Sequence, residues 1–243
     1  DVTLSGETNA TITDALVDGV AVVTINDNDA PPTVSVADIA VDEGTTGATA
    51  TATVTATLSE VSGKDITVQI DTADGMATTA DSDYTAVTAG SITILAGAAD
   101  GTADIDVIGD VTDEGDSEAF TATISGGTNV TVDAADTATV TITDDDDPPV
   151  ISIADVSVDE GDDGAASAAV AVTFSNPSAS TVDVNYVTGD GTATTADSDY
   201  TSVSSTTLSF APGVVTQDIT VDATGDTTDE VDETLTVTLS NPS

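Results

Sequence analysis

The chain has no cysteine, no histidine and no tryptophan, and Lys64 is its single basic residue. Without cysteine there is no disulfide, no zinc–thiolate site and no thiol nucleophile. Without histidine a serine nucleophile lacks its usual base, so hydrolytic triads are excluded. One lysine leaves almost no room for isopeptide cross-links. Six aromatics in 243 residues are too few for the stacking platforms of a glycosidase cleft, although paired carboxylates are plentiful. No run of 18 apolar residues occurs, and no stretch reads as a leader or anchor, so no direct membrane insertion of this segment is expected.

What is abundant is acid. Asp and Glu number 45, giving a formal charge of −44. Nucleic acid, which is recognised through Lys and Arg, is excluded as a partner, and the same charge argues against anionic membrane surfaces. Such a charge keeps a protein soluble and pushes its compact state apart. Disorder does not follow, because the hydrophobic fraction is 39% and much of it alternates in strand register. The apolar residues are mostly Ala and Val, which predicts thin cores that a metal ion could stiffen.

The acids are not scattered. Thr33–Gly44 (TVSVADIAVDEG) returns as Val150–Gly161 (VISIADVSVDEG), 117 residues later. Gly75–Thr85 (GMATTADSDYT) returns as Gly191–Thr201 (GTATTADSDYT), and the acidic stretch Asp110–Glu118 as Asp226–Glu233, one residue shorter. Val22–Pro32 (VVTINDNDAPP) matches Thr139–Pro149 (TVTITDDDDPP), and Val2–Ser5 matches Val237–Ser240 two periods on. A period near 117 fits one domain per repeat rather than a solenoid unit. The reading is therefore the C-terminal strands of a partial repeat over 1–31, a complete repeat over 32–147, and a repeat lacking its last strand over 148–243. Six of the eight glutamates recur in register between copies; Glu7 and Glu60 do not.

Within the complete repeat, Thr49–Leu58 (TATATVTATL) puts Ala50, Ala52, Val54, Ala56 and Leu58 on one face. Its counterpart turns Ala168, Val170, Val172 and Phe174 inward. Alternation continues in Ile66–Ile70, Ser91–Leu95, Thr102–Ile108, Ala119–Ser125 and Thr137–Thr143. About seven short strands separated by Gly- and Asp-rich turns predict an all-β fold of tandem immunoglobulin-like antiparallel β-sandwiches.

The acids stand where strands end: Glu43, then Asp81 and Asp83 before Tyr84, then Asp110 to Glu118, then Asp144 to Asp147. Alternate turns of a seven-strand sandwich lie at one end, so these loops can converge on a hard cation. Ca²⁺ takes about six to eight oxygens at about 2.3–2.6 Å, Mg²⁺ a tighter octahedron. A lone Asp in a turn, such as Asp14 or Asp100, is read as turn chemistry instead; Tyr84 and Tyr200 are read as packing residues, and Lys64 as lying in a solvated turn.

In this order, the motifs V-D-E-G, T-A-x-x-x-D-S-D-Y, D-x-x-x-E-x-D-E and V-T-I-x-D-D-D resemble the Calx-β domain, known from sodium–calcium exchangers, a laminin-binding integrin subunit and large bacterial surface proteins. The resemblance implies a seven-strand sandwich holding Ca²⁺ at its C-terminal end. By position it implies Glu43, Asp83, Asp110, Glu114, Glu118, Asp144, Asp145 and Asp146 as ligands in the complete repeat, with Asp116 and Glu118 alternatives for one inward place. In the next repeat the matches are Glu160, Asp199, Asp226, Glu230 and Glu233, and in the first fragment Asp27 and Asp29, diluted by Asn26 and Asn28.

The Asp run before Pro148-Pro149 doubles as the linker to the next repeat, and two prolines favour an extended, stiff junction. The expected function is a structural region of an extracellular, calcium-stiffened stalk, filament or adhesin on a bacterial surface, with neighbouring repeats of the same chain as partners. The alternative is a calcium-sensing regulatory module acting on a membrane partner. Head-to-tail self-association by strand donation is a further expectation, since the first fragment carries a strand of the kind the last repeat lacks.

Overall fold

A computed structural model of the chain describes residues 2–3, 20–45, 47–115, 117–132 and 136–243. Most of the 1–31 fragment, Asp14 and Asp116 therefore lie outside the described residues. Two short strands, β1 (Val2–Thr3) and β2 (Val20–Ala21), pair antiparallel. The next repeat comprises β3 (Val34–Ser35), β4 (Ile39–Asp42), β5 (Thr49–Leu58), β6 (Ile66–Ala73), β7 (Gly90–Ile94), β8 (Asp100–Ile108), β9 (Ser117–Thr128) and β10 (Asp136–Thr143). After it come β11 (Ile151–Ile153), β12 (Ala165–Phe174), β13 (Val182–Asp190), β14 (Thr206–Phe210), β15 (Thr216–Thr224) and β16 (Leu235–Ser240). The fold is all-β: no helix occurs among the described residues, so none is long and apolar enough to cross a membrane.

Threonine and β-branched or Ala positions alternate through these strands, and the alternation becomes a two-sided surface. In β5, Ala52, Val54, Ala56 and Leu58 are buried while Thr51, Thr53, Thr55 and Thr57 face water. In the complete repeat two sheets, ordered β4-β10-β9-β6-β7 and β3-β5-β8, close over one core. Tyr84 stacks on Phe120 at 3.9 Å between ring centroids, which fills volume that Ala and Val leave open. The first strand is split: β3 pairs antiparallel with β5 in one sheet, and β4 pairs parallel with β10 in the other.

The following repeat keeps β11-β12-β15 and β14-β13-β16. It has no counterpart of β10, and residues 154–160, the counterpart of β4, are coil. The two differences share one cause, because β4 has β10 as its only ladder partner.

Both covalent and non-covalent contacts join the two repeats. Asp113 forms a parallel bridge with Ser178, its N–H donating to the Pro177 carbonyl (3.1 Å) and its carbonyl accepting from Ala179 N–H (2.9 Å). The Asn176 side-chain amide donates to the Asp147 carbonyl (3.0 Å), and Ser178 is buried in the seam.

Candidate metal centre

Four connections of the complete repeat end at the same pole of the sandwich. The Glu43-Gly44 turn follows β4 and needs the left-handed φ of +82° that Gly44 adopts. Glu43 N–H donates to the Thr143 carbonyl (3.0 Å), so the β4–β10 ladder fixes where this carboxylate stands. The β6–β7 connection turns at Ser82, a non-glycine residue with φ of 77°, and its counterpart Ser198 repeats this at 75°. That turn sets Asp83 inward, where its Oδ2 accepts Thr78 N–H at 2.6 Å. The β8–β9 connection supplies Asp110 and Glu114, the start of β9 supplies Glu118, and the exit of β10 supplies Asp144 to Asp147.

The convergence yields two triads. Glu43, Asp110 and Asp146 offer oxygens that all lie within 4.8 Å of one another, and so do Asp83, Glu114 and Glu118. Six of the eight sequence-predicted positions in this repeat are thus brought together, Glu118 among them; its alternative Asp116 lies outside the described residues. Asp144 and Asp145, outside both triads, also fasten the loops. Asp144 Oδ2 accepts Glu114 N–H (2.8 Å) and Gly115 N–H (2.9 Å), its Oδ1 accepts Asp146 N–H (2.9 Å), and Asp145 Oδ1 accepts Gly44 N–H (3.2 Å).

These carboxylates are under mutual strain. Glu43 is only 4% exposed, and burial first, then the Asp144, Asp110 and Asp146 charges, push its pKa up to about 7 against the lowering effect of a backbone hydrogen bond. Burial and the Asp83, Glu118, Glu43 and Asp110 charges push Glu114 up to about 8. Asp83, Glu118 and Asp146 are raised too, burial being the largest cause for each. Among the described residues the single basic side chain, Lys64, reaches only Asp27 at 3.9 Å, in an exposed pair that includes none of the triad residues.

Among the described residues two buried side-chain oxygens have no hydrogen-bond partner: Glu43 Oε1 and Asp146 Oδ2, both in residues of the first triad. Such orphans are costly, and a cation satisfies an acceptor-only group that no donor reaches. An all-oxygen, multi-carboxylate donor set without sulfur or imidazole fits a hard divalent cation.

In the second repeat, Glu160, Asp226 and Glu230 also cluster within 4.8 Å, but all three are exposed. Repulsion from Asp199 adds to desolvation in raising Glu233, which places those two together, and Asp199 Oδ2 holds Thr194 N–H at 2.7 Å. Asp27 and Asp29 join no triad; Asp29 N–H donates to Asp27 Oδ1 (3.1 Å) in a local exposed turn. Many remaining aspartates are structural. Asp136 Oδ2 accepts Val36 N–H (2.8 Å), Asp38 Oδ1 accepts Thr139 N–H (2.7 Å), and Asp74 Oδ1 accepts the Tyr84 hydroxyl (2.7 Å), as Asp190 does for Tyr200.

Close backbone contact supports the first triad from behind. A Cβ on Gly109 would overlap the Gly44 carbonyl and press on that of Glu43. Gly109→Ala is expected to lower stability by about 1–3 kcal/mol, the usual range for overpacking, and to weaken metal binding in the same protein, since Glu43 and Asp110 flank the displaced strands. Denaturant unfolding with and without calcium checks both effects.

A β-sandwich whose inter-strand loops gather carboxylates at one pole defines the class. The chain belongs to the Calx-beta family: the model of the Calx-beta domain matches it twice, over residues 26–146 and 144–243. Calx-beta domains are Ca²⁺-binding domains, which agrees with the oxygen-only donor set found here. Among solved structures, the calcium binding domain CBD12 of CALX1.1 is 22% identical, covers 86% of this chain and 79% of its own, and superposes with a TM-score of 0.41. CBD12 from CALX1.2 gives 22%, 86%, 80% and 0.41. The apo-form Calx CBD1 domain gives 21% identity over 47% of this chain and 98% of its own, with a TM-score of 0.38. No curated protein matches the chain. Superpositions this loose carry no residue roles across, so the site rests on this chain's own geometry.

Proposed function

We propose that the chain is a calcium-stiffened structural segment: Ca²⁺ is held by Glu43, Asp110 and Asp146 and by Asp83, Glu114 and Glu118, and the bound ions fix the junction to the next repeat. The observation that carries this reading is that two residues of one triad, Glu43 and Asp146, each hold a buried oxygen (Oε1 and Oδ2) with no hydrogen-bond partner. Binding suits a site of crowded carboxylate acceptors with no aromatic platform beside it to hold an organic substrate.

The junction belongs to the same loop. Asp113, whose backbone pairs with Pro177–Ala179, sits between the ligand candidates Asp110 and Glu114. Asp144 to Asp147, which lead into Pro148, clamp that loop through Glu114 and Gly115 N–H. Neutralising the carboxylates orders the loop and so holds the seam. Near-identical repeats, extreme acidity and lack of cysteine support an extracellular stalk, filament or adhesin, with 1–31, 32–147 and 148–243 as its units. A calcium sensor acting on a membrane partner is the second reading, favoured by the contact between the two repeats through a metal loop.

Thermal unfolding of the metal-free chain across calcium and magnesium titrations tests this. A calcium-selective rise saturating in the range of about 0.1–1 mM, typical of extracellular modules, is the expected result, whereas saturation in the range of about 0.1–10 μM supports the sensor. Equal effects of calcium, magnesium and sodium chloride would show that the acids are only a solvated surface.

A further inference from the structure

The first triad depends on a short strand keeping its register. Glu43 follows β4 directly, and among the described residues the ladder partner of β4 is β10 alone. That ladder pairs Ile39 with Val140, Ala40 with Thr141, Val41 with Ile142 and Asp42 with Thr143. Ile39 and Val41 are half-buried at the margin of the core, while Ala40 and Asp42 face water. So little buried surface specifies register weakly. β10 is also nearly uniform along its length, with Thr137, Thr139, Thr141 and Thr143 on one face and Ala138, Val140 and Ile142 on the other. A slip by one residue turns Glu43 to the wrong face. A slip by two meets the same chemistry and carries Glu43 about 6.6 Å along the strand, at about 3.3 Å per residue. Either slip takes its carboxylate out of the set whose oxygens lie within 4.8 Å of one another.

Two aspartates outside both triads mark the observed register. Between β3 and β4 the chain crosses from one sheet to the other, and the ladders lapse over residues 36–38. On that crossing Val36 N–H donates to Oδ2 of Asp136, the first residue of β10 (2.8 Å). In return Thr139 N–H, the amide just before the ladder begins at Val140, donates to Asp38 Oδ1 (2.7 Å). Each segment thus lends one carboxylate to the backbone of the other. Hydrogen bonds to an ionised acceptor are about twice as strong as neutral ones. Both bonds belong to one alignment, because a two-residue slip would set Asp38 beside Thr137 or Thr141 and take Asp136 away from Val36.

We propose that Asp38 and Asp136 are positioning residues for the first triad: they set the β4–β10 register, and through it the place of Glu43. Neither belongs to a triad, and their influence reaches the ion only along β4. The consequence for calcium rests on the function proposed above, whereas the register is a matter of strand pairing alone.

The absence of cysteine lets the register be read directly on the full 243-residue chain. Ala40 and Thr141 stand opposite one another across the ladder, a separation that a disulfide bridges. Under mild oxidation in chelator, Ala40→Cys/Thr141→Cys is expected to cross-link, while Ala40→Cys/Thr139→Cys and Ala40→Cys/Thr143→Cys stay reduced. Adding Asp38→Ala and Asp136→Ala is expected to let the two mismatched pairs close as well. Asp38→Asn, which keeps an acceptor for Thr139 N–H, is expected to confine cross-linking to the native pair.

Without the cysteines, Asp38→Ala/Asp136→Ala is expected to weaken calcium binding at the first triad by about 10–100-fold, the usual cost of losing support behind metal ligands. In a Glu43→Gln background, where that triad is already disabled, the same two substitutions are expected to change calcium binding no further. Val54→Ala, a core truncation in β5, is the stability control and is expected to lower the melting temperature with no effect on register or calcium. Should the double variant fail to fold, Asp38→Ala alone carries the same comparisons. Closure of the native pair alone in the chain lacking both carboxylates overturns the proposal. A further loss of calcium in the Glu43→Gln background overturns it too, since the substitutions would then act by general loosening. A parent chain that takes up no calcium sinks the metal reading instead, and the cross-links still decide whether the two aspartates set the register.

Discussion

Metal-free protein is expected to become more stable as pH falls from about 8 towards about 4.5, and to lose that stability when the pH is raised again. Most proteins show the reverse over this range, because their carboxylates gain partners on folding. Here Glu43 and Glu114 have folded-state pKa values pushed up to about 7 and about 8 from 4.5. The folded state therefore holds more protons than the unfolded one throughout that interval, and the slope of stability against pH is negative. Their contribution is complete below the unfolded value near 4.5 and is lost as pH rises through about 7 and then about 8. The raised Asp83, Glu118 and Asp146 add in the same direction.

At about 1.4 kcal/mol per pKa unit the two glutamates set a large ceiling, which screening and outward relaxation of the loops reduce to on the order of 2–4 kcal/mol. For a domain of this size that moves the midpoint on the order of 10 °C. Saturating calcium inverts the trend, because protons then compete with the ion for the same oxygens and stability grows with pH. Calorimetric scans of stripped and calcium-loaded protein from pH 4.5 to 8.5 check the pair of slopes. Parallel slopes in the two series would mean that these carboxylates do not bind the ion, and a flat or rising slope in the stripped series that their folded-state pKa values are not raised.

Glu114→Gln is expected to separate the two roles of one side chain. The amide keeps the shape of the carboxylate and removes a charge that faces Asp83, Glu118, Glu43 and Asp110. Metal-free Glu114→Gln should therefore unfold at a higher temperature than the metal-free parent, by on the order of 1–3 kcal/mol after discounting for partial exposure. Calcium should then do little for it. A ligand at about a hundredfold excess over its Kd stabilises by about 2.7 kcal/mol per site, and a site reduced to Asp83 and Glu118 forfeits most of that. Asp106→Asn, which removes the same charge from the exposed face of β8, serves as the control and should leave the calcium response whole. If Glu114→Gln behaves like Asp106→Asn in both conditions, the triad of Asp83, Glu114 and Glu118 is not a binding site.

The sandwich was legible because its chemistry is written at period two. Threonine facing out and Ala, Val or Ile facing in leave little choice of register in β5, β8 and β10. The acidic pole was legible because Glu recurs where most acids are Asp, and Glu43, Glu114 and Glu118 all arrive in the triads. Other features depend on tertiary pairing. The coil at 154–160 has nearly the sequence of β4, yet it lacks the ladder that makes β4 a strand. That Asp144 and Asp145 also clasp the loops is seen only from the approach of Glu114, Gly115 and Gly44 N–H. Nothing in Asn176-Pro177-Ser178 distinguishes it from an ordinary turn until Asp113 is seen beside it.

The pairing of Asp113 with Pro177–Ala179 has a mechanical meaning. A single covalent tether between rigid bodies is a swivel, free to bend and to twist about its bonds. With the peptide Asp147–Val150 on one side and the Asp113 seam on the other, the repeats are tied at two points that do not coincide, like a plate held by two bolts. Bending then has to stretch one tie or compress the other, and torsion has to shear the seam. A pull on the chain is then shared between the backbone and the Asp110–Glu114 loop; under the proposed function, the ionic composition of the medium would set how far the two repeats yield.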